Sequence, residues 1–110
     1  MISGKRVLGL IPARGGSKGI PRKNLIYVQG RPLIAWTIDQ ALASSYIDDV
    51  VLSSEDEEII KVARDYGCQT PFIRPLELAS DFSTSMDVVF HALEALDRHY
   101  DYVVLLQPTS

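Results

Sequence analysis

An α/β fold, in which a mostly parallel β-sheet is covered by helices on both faces, is the fold class that the sequence predicts. Short apolar runs of strand length alternate with amphipathic helical patterns, and turn residues separate them. No internal repeat or low-complexity tract interrupts this alternation. The chain has 110 residues, of which 46% are hydrophobic and 23% charged, as is typical of one globular domain. The alternation therefore predicts a three-layer sandwich.

Four short apolar runs are the predicted strands. They comprise residues 7–11, 50–52, 72–73 and 102–106. The first run stops at Pro12, and the last is apolar on both faces, as is expected of buried strands in a parallel sheet.

Three helices are predicted between these strands. The first begins at Pro32, a residue suited to a first helical turn, and runs to about Ser45. Ser54 and Glu57 have the spacing of a capping box for the second, and Gly67 ends it. The apolar faces are expected to contain Ile34, Ile38, Ala41 and Leu42 in the first helix, Ile59, Val62, Ala63 and Tyr66 in the second, and Met86, Val89, Phe90, Leu93 and Leu96 in the third.

Ligands of open parallel sheets bind beyond the carboxyl ends of the strands. Three segments are predicted to meet there: the loop after the first strand, the loop around residues 74–85, and residues 107–110 after the last strand. Since no closing helix follows the last strand, we expect the domain to be incomplete at its C-terminus.

Charge is distributed unevenly along the chain. Residues 1–38 contain seven basic residues and no acidic one, whereas residues 39–110 contain four basic and fourteen acidic residues, which gives +7 and −10 and the net charge of −3. The basic part is expected to meet an anion, although such charge also favours solubility without any ligand.

The segment of residues 11–24 carries the chemistry. It holds three of the seven glycines and four of the eleven basic residues. Glycines let consecutive N–H groups approach an anion, and Arg and Lys add full charges, so the segment suits a triphosphate. Gly19 is followed by Ile20, which excludes a P-loop, and glycines at 15, 16 and 19 do not match a dinucleotide fingerprint.

This segment resembles the N-terminal signature of acylneuraminate (CMP-sialic acid) cytidylyltransferases. The resemblance continues in residues 74–85 and in residues 105–110, so it covers the whole chain with three motifs in order. It implies a Rossmann-like sandwich of the nucleotide-diphospho-sugar transferase type. Residues 1–110 would be the N-terminal, nucleotide-binding part of a single domain.

The resemblance also implies roles by motif position. Catalytic roles would belong to Arg14, Lys18 and Lys23. Contacts with CTP would come from Ala13, Arg14, Gly15, Ser17, Asn24, Arg74 and Ser85. Gln107 would face the acidic sugar. Ser17 and Ser85 also suit turns or caps, and Gln107 also suits a plain strand end.

The reaction implied is the transfer of CMP from CTP to a sialic-acid-type, nine-carbon α-keto acid sugar, with release of pyrophosphate. N-acetylneuraminate is the first expectation, with legionaminate and pseudaminate as alternatives. The family uses Mg²⁺, whose ligands are expected after residue 110, and the full-length form is expected to be a homodimer. A non-catalytic nucleotide-binding fragment is a further alternative.

Other partners are not expected. Nucleic-acid binding predicts aromatic residues among the basic ones, and only Tyr27 and Trp36 lie near them. No apolar run approaches the ~20 residues that span a bilayer, and residues 1–6 lack a secretory signal. Cys68 is the single cysteine, so a reducing, cytoplasmic location is expected. Glu55–Glu58 is interpreted as an acidic first helical turn that favours the helix dipole.

Overall fold

A three-stranded parallel sheet forms the centre of the fold in the computed structural model, which describes residues 1–16, 22–80 and 83–108. The strands in chain order are β1 (Val7–Pro12), β2 (Tyr27–Val28), β3 (Arg31–Pro32), β4 (Asp49–Ser53) and β5 (Tyr102–Leu105). The helices are α1 (Leu33–Ala43), α2 (Glu57–Asp65) and α3 (Ser85–Leu96), with short 3-10 helices at Lys23–Leu25 and Leu76–Leu78. The sheet order is β4-β1-β5, and β2 and β3 form a separate antiparallel hairpin.

Two hydrophobic clusters, one on each face of the sheet, confirm the three predicted layers. On one face, α1 and α2 pack against Ile11, Val50 and Leu52. On the other face, α3 packs against Leu8 and Leu10 of the central strand. Because β1 lies between the other two strands and is buried on both faces, its continuous apolar sequence suits its position.

The carboxyl ends of the three strands are nearly level. Pro12 is opposite Ser53, and Leu10 is opposite Leu105. Parallel pairing continues past the strands through the Leu106 N–H, which donates to the Leu10 carbonyl at 2.8 Å. The segments that follow β1, β4 and β5 therefore leave the sheet at one edge, as predicted.

The strand predicted at residues 72–73 is wrong. Only one residue, Gln69, bridges to the sheet, at Val51 of β4. Pro71 follows two residues later and has no N–H to donate, so the ladder cannot extend in this direction. Ile73 is consequently 65% exposed instead of buried in a strand.

The helices form where predicted, and their buried faces agree with the prediction except at a few positions of α1 and α3. Leu42 is 49% exposed, and Ala35 is buried in its place on α1. On α3 the buried residues are Val88, Ala92 and Leu96, whereas Met86 and Phe90 are exposed. Apolar periodicity therefore identified the helices and most of the residues that face the sheet, but it misplaced Leu42, Met86 and Phe90.

The cap of α2 also differs from the prediction. Asp56, and not Ser54, is the N-cap: its Oδ1 accepts from the N–H groups of Glu58 and Ile59 at 2.9 and 3.2 Å. The Ser54 hydroxyl instead accepts from the Asp56 N–H at 3.1 Å. Gly67 ends the helix at φ 92°, a conformation that favours glycine, as predicted.

Cys68 and Trp36 differ in their surroundings. Cys68 is buried, and that burial raises the pKa of its thiol to about 12. Trp36 of α1, by contrast, is only half-buried. Its Nε1–H donates to the Val28 carbonyl at 2.9 Å, and the Arg31 guanidinium stacks 4.0 Å from the ring centroid. Among the described residues, no helix is both long and apolar enough to cross a membrane.

Carboxylates cap the amino edge of the sheet. Asp48 accepts from the Val7 N–H at 2.7 Å, and Asp101 accepts from the Arg6 N–H at 2.8 Å. These backbone hydrogen bonds stabilise the charged forms and lower the pKa of both carboxyls below the ordinary value of 3.8. Their contribution to stability is therefore present above that value and is lost as the pH falls through the lower, folded-state values.

We expect the urea midpoint of the protein to decrease between about pH 5 and about pH 2, and less so in the Asp48→Asn/Asp101→Asn variant. The amides still accept the N–H bonds but do not titrate. Denaturation curves at about pH 7 and about pH 3 measure the difference. Asp65→Asn, at an exposed position on α2, is the control. Equal pH dependence in the double variant and the wild type would refute this role.

Candidate functional site

A cavity of about 330 Å³ opens at the carboxyl edge of the sheet. Its walls come from the segments after β1 and β5, from the 3-10 helix at Lys23–Leu25, and from the loop that precedes α3. This volume is at the lower end of the range of small-molecule sites. The lining residues are Pro12, Ala13, Arg14, Lys23, Asn24, Arg74, Leu78, Ser80, Ser83, Thr84, Ser85, Val88, Leu105, Gln107 and Pro108.

Most of the site residues predicted from sequence meet in this cavity. Its lining includes Ala13, Arg14, Lys23, Asn24, Arg74, Ser85 and Gln107. Gly15 borders an adjacent cavity instead, and its N–H donates to the Glu55 carboxylate at 2.5 Å. Ser17 and Lys18 lie outside the described residues. Ser85 is not a cap, because Thr84 occupies the N-cap position of α3.

Arg74 is a buried cation in the wall of the cavity, only 4% exposed. Its Nε donates to the Ser53 hydroxyl at 3.0 Å, and one terminal nitrogen donates to the Ser53 carbonyl at 2.8 Å. Burial is the main cause that lowers the pKa of this guanidinium, and the nearby charge of Arg14 lowers it further, while Glu55 acts in the opposite direction. Arg74 remains charged despite the lower pKa, because arginine is not deprotonated in proteins. An anion in the cavity could therefore pair with a guanidinium that is already shielded from water.

Two further cations share the cavity with Arg74. Arg14 lies directly after the central strand, and one of its terminal nitrogens is 3.4 Å from the Ala79 carbonyl, to which it donates. Lys23 begins the short 3-10 helix on the opposite side of the loop. Within the described part of the chain, no carboxylate lines this cavity. The lining therefore favours a ligand with several negative charges.

Asn24 presents an unsatisfied acceptor at the same cavity. The residue is 4% exposed, and its Oδ1 has no hydrogen-bond donor among the described residues. A buried acceptor without a partner costs about 1–3 kcal/mol. A ligand hydroxyl or amino group that reached Oδ1 would remove that penalty, so the site suits an anion that also carries donors.

The positive charge of residues 1–38 is only partly available to a ligand. Arg6 pairs with Asp49 at 3.1 Å at the amino edge of the sheet, and Arg31 pairs with Asp39. Arg22 pairs with the first turn of α2. Within the described residues, the tertiary structure thus pairs Arg6, Arg22 and Arg31, three cations that the sequence pattern associated with an anion, with carboxylates.

Several residues that shape the site were not predicted. Ser53 holds Arg74, and the carboxylates of Glu55 and Asp56 hold the glycine-rich segment. Thr84 and Asp87 form a capping box that starts α3 at the cavity wall. The Thr-x-x-Asp spacing in the sequence is typical of such a capping box and could have predicted it. The contacts of Glu55 and Asp56 join residues 34 to 40 positions apart, so no local sequence pattern predicts these contacts.

Comparison with known proteins identifies the family. The chain matches the Cytidylyltransferase family over residues 8–110. It belongs to that family. This cytidylyltransferase chain is 51% identical over 106 residues to the pseudaminic acid cytidylyltransferase of Campylobacter jejuni subsp. jejuni serotype O:2, covering 94% of the chain and 46% of that protein. The chain therefore spans about half the length of that relative.

Two other relatives carry related names. The CMP-N,N'-diacetyllegionaminic acid synthase of Legionella pneumophila is 44% identical over 109 residues, which cover 96% of the chain and 47% of that protein. The N-acylneuraminate cytidylyltransferase of Escherichia coli O18:K1:H7 is 38% identical over 105 residues, which cover 96% of the chain and 25% of that protein. The predicted resemblance to acylneuraminate cytidylyltransferases is thereby confirmed.

Solved structures confirm the predicted fold. A CMP:2-keto-3-deoxy-manno-octonic acid synthetase complexed with CTP superposes with a TM-score of 0.78 at 22% identity, over 94% of this chain and 40% of that one. A cytidylyltransferase from Leptospira borgpetersenii superposes with a TM-score of 0.74 at 20% identity, over 94% of this chain and 42% of that one. At these identities the likeness shows the three-layer, nucleotide-sugar transferase fold alone.

Proposed function

We propose that this chain binds CTP in the cationic cavity and contributes to the transfer of CMP to a nine-carbon α-keto acid sugar. The observation that carries the proposal is the convergence of Arg14, Lys23 and Arg74 on one cavity, beside the unsatisfied Oδ1 of Asn24. The cations suit the triphosphate, and the Asn24 acceptor suits the hydroxyl or amino donors of the nucleoside.

In this reaction, the cationic residues of the cavity would neutralise negative charge on the phosphates. The anomeric hydroxyl oxygen of the sugar bonds to the α-phosphorus, the bond between that phosphorus and the bridging oxygen breaks, and pyrophosphate leaves with the bonding electrons. The hydroxyl proton passes to solvent or to a base. Arg14 and Lys23 would stabilise the negative charge that builds on the phosphate oxygens. Arg74 and Ser85 would border the nucleoside, and Gln107 would face the sugar.

A divalent cation, expected to be Mg²⁺, would add charge neutralisation at the phosphates. The described residues do not fit this ion: the cavity lining contributes no carboxylate, and no group of three or more His, Cys, Asp or Glu residues is arranged to hold a metal. That the ligands lie after residue 110 stays a prediction from the family resemblance. A homodimer of the full-length protein and a cytoplasmic location likewise stay predictions.

The choice of sugar remains a proposal of its own. N-acetylneuraminate was the first expectation from sequence, with legionaminate and pseudaminate as alternatives. The relative named for pseudaminic acid is 51% identical, compared with 44% and 38% for those named for legionaminic and N-acylneuraminic acids. We therefore place pseudaminate first among the sugars to test.

A pyrophosphate-release assay on the full-length protein tests the proposal. With CTP, Mg²⁺ and a panel of the three nine-carbon acids, we expect release with at least one sugar, and at least about tenfold less release when ATP replaces CTP. Omission of the sugar and omission of the enzyme are the controls.

The results of that assay decide between catalysis with CTP and the alternatives. Equal release with ATP would contradict the cytidine assignment, and no release with any sugar would contradict catalysis. CTP binding without release, measured by calorimetry, would instead support the non-catalytic nucleotide-binding alternative.

A further inference from the structure

Acidic side chains at the start of α2, within Glu55–Glu58, contact Gly15 and Arg22 of the glycine-rich segment, residues 11–24. Glu55 Oε1 accepts a hydrogen bond from the Gly15 N–H at 2.5 Å. Arg22 Nε donates to Asp56 Oδ2 at 2.9 Å, and another nitrogen of Arg22 donates to Glu58 Oε2 at 3.1 Å. One short stretch of carboxylates therefore holds both Gly15 and Arg22.

Gly15 and Arg22 are also hydrogen-bonded to each other. The Arg22 N–H donates to the Gly15 carbonyl at 2.8 Å. Arg22 has φ 51° and ψ 38°, a left-handed conformation that is unfavourable for a residue with a side chain. Such a conformation persists only where surrounding contacts impose it, and here the imposing contacts are this hydrogen bond and the two ion pairs.

The turn at Arg22 divides neighbouring residues between two cavities. Arg22 lines the acidic cavity beside Asp56 and Glu58. Lys23 and Asn24, the next two residues, line the cationic cavity instead. The conformation of Arg22 thus decides that Lys23 and Asn24, but not Arg22, face the proposed triphosphate site.

Asp56 is a rigid anchor for this arrangement. Its Oδ1 caps α2, while its Oδ2 accepts from Arg22. Gly15 packs directly against this side chain, so closely that a Cβ on the glycine would clash with Oδ2, the oxygen that accepts from Arg22, and would lie 2.9 Å from Asp56 Cβ. The Asp56 side chain is accordingly only 9% exposed, and it has little freedom to follow a displaced arginine.

We infer that Arg22 is a positioning residue of the proposed CTP site and not a phosphate ligand: its pairs with Asp56 and Glu58 hold Lys23 and Asn24 against the cationic cavity. This inference rests on the proposed function. Because Arg22 and Glu58 are largely exposed, their pairing contributes little to folding. Its loss should therefore change nucleotide binding much more than stability.

The test is Arg22→Gln in the full-length protein, with CTP varied at saturating sugar. We expect KM for CTP and the calorimetric Kd of CTP to rise roughly tenfold, kcat to change less than about threefold, and Tm to fall by no more than about 2 °C. Arg22→Lys keeps the charge but lacks the planar fork whose separate nitrogens donate to Asp56 and Glu58, so a rise of about threefold is expected. Arg64→Gln, which removes an exposed arginine of α2 bonded to Thr70, is the matched control and should leave both constants unchanged.

The outcomes separate the inference from the proposed function. Wild-type KM and Kd in Arg22→Gln would overturn the positioning role, as would a fall in kcat of about 100-fold at constant KM, which marks contact with the reacting phosphate. If the wild type binds CTP without turnover, the proposed function fails, and the Kd comparison still decides the role of Arg22. Should Arg22→Gln not fold, Glu58→Gln removes only the exposed pair, and an unchanged Kd in that variant would overturn the inference.

Discussion

Arg14→Ala is expected to lower kcat/KM for CTP by about 10²–10³-fold. Arg14 follows the central strand at the carboxyl edge and shares the cavity with Lys23 and Arg74. A guanidinium in this partly buried position can hold two phosphate oxygens at once, and its loss leaves the developing charge with fewer partners. Steady-state pyrophosphate release on the full-length protein, with CTP varied, measures the change.

Stability should respond to this substitution much less than turnover does. We expect the free energy of unfolding to fall by less than about 1.5 kcal/mol, because the hydrogen bond from Arg14 to the Ala79 carbonyl is long, at 3.4 Å, and Arg14 belongs to neither hydrophobic cluster of the core. Arg31→Ala is the control, since Arg31 pairs with Asp39 and stacks on Trp36 away from the cavity. An Arg14→Ala enzyme with wild-type kcat/KM would remove Arg14 from the proposed site. Lys18→Ala, outside the described residues, carries the same expectation from sequence.

Gly15→Ala should lower kcat/KM by about 10²-fold and destabilise the protein by about 1–3 kcal/mol. A Cβ at Gly15 would lie 2.9 Å from Asp56 Cβ, and Asp56 cannot retreat because it caps α2. The loop must shift, and the hydrogen bond from the Gly15 N–H to Glu55 is then strained. Steady-state kinetics and urea denaturation measure the two effects.

The neighbouring glycine supplies a matched control for stability. A Cβ at Gly16 meets no described atom within 4 Å, and Gly16 is not among the residues with positive φ. Gly16→Ala should therefore leave the unfolding free energy within about 0.5 kcal/mol of wild type. If both variants are equally destabilised, close packing of Gly15 on Asp56 is not the cause.

The site was largely predictable because its residues lie at strand ends. Apolar runs locate β1 and β5, and parallel pairing brings the segments that follow them to one edge. Arg14 and Gln107 therefore meet although 93 positions separate them in the chain. Recognition of the family motifs added Arg74 and Ser85, which no local pattern would have placed there.

Other features could not be predicted, because they depend on which surfaces meet. Periodicity marked α1 and α3, but Leu42 and Phe90 face outward, since the position of the sheet decides which side of a helix is covered. Charge alone could not tell that Arg22 would turn towards Asp56 and away from the anion site. Both outcomes result from contacts between residues far apart in sequence.

By itself, the sequence determined the alternation of strands and helices, the glycine and cation content of the segment after β1, and hence the edge of the sheet at which an anion would bind. These are local properties, set by side-chain type and spacing. Tertiary structure alone decided that residues 72–73 lie outside the sheet, that Arg74 is buried on Ser53, and that Glu55 and Asp56, at the start of α2, hold Gly15 and Arg22. The physical reason is that burial, ion pairing and close packing arise only when distant segments come into contact.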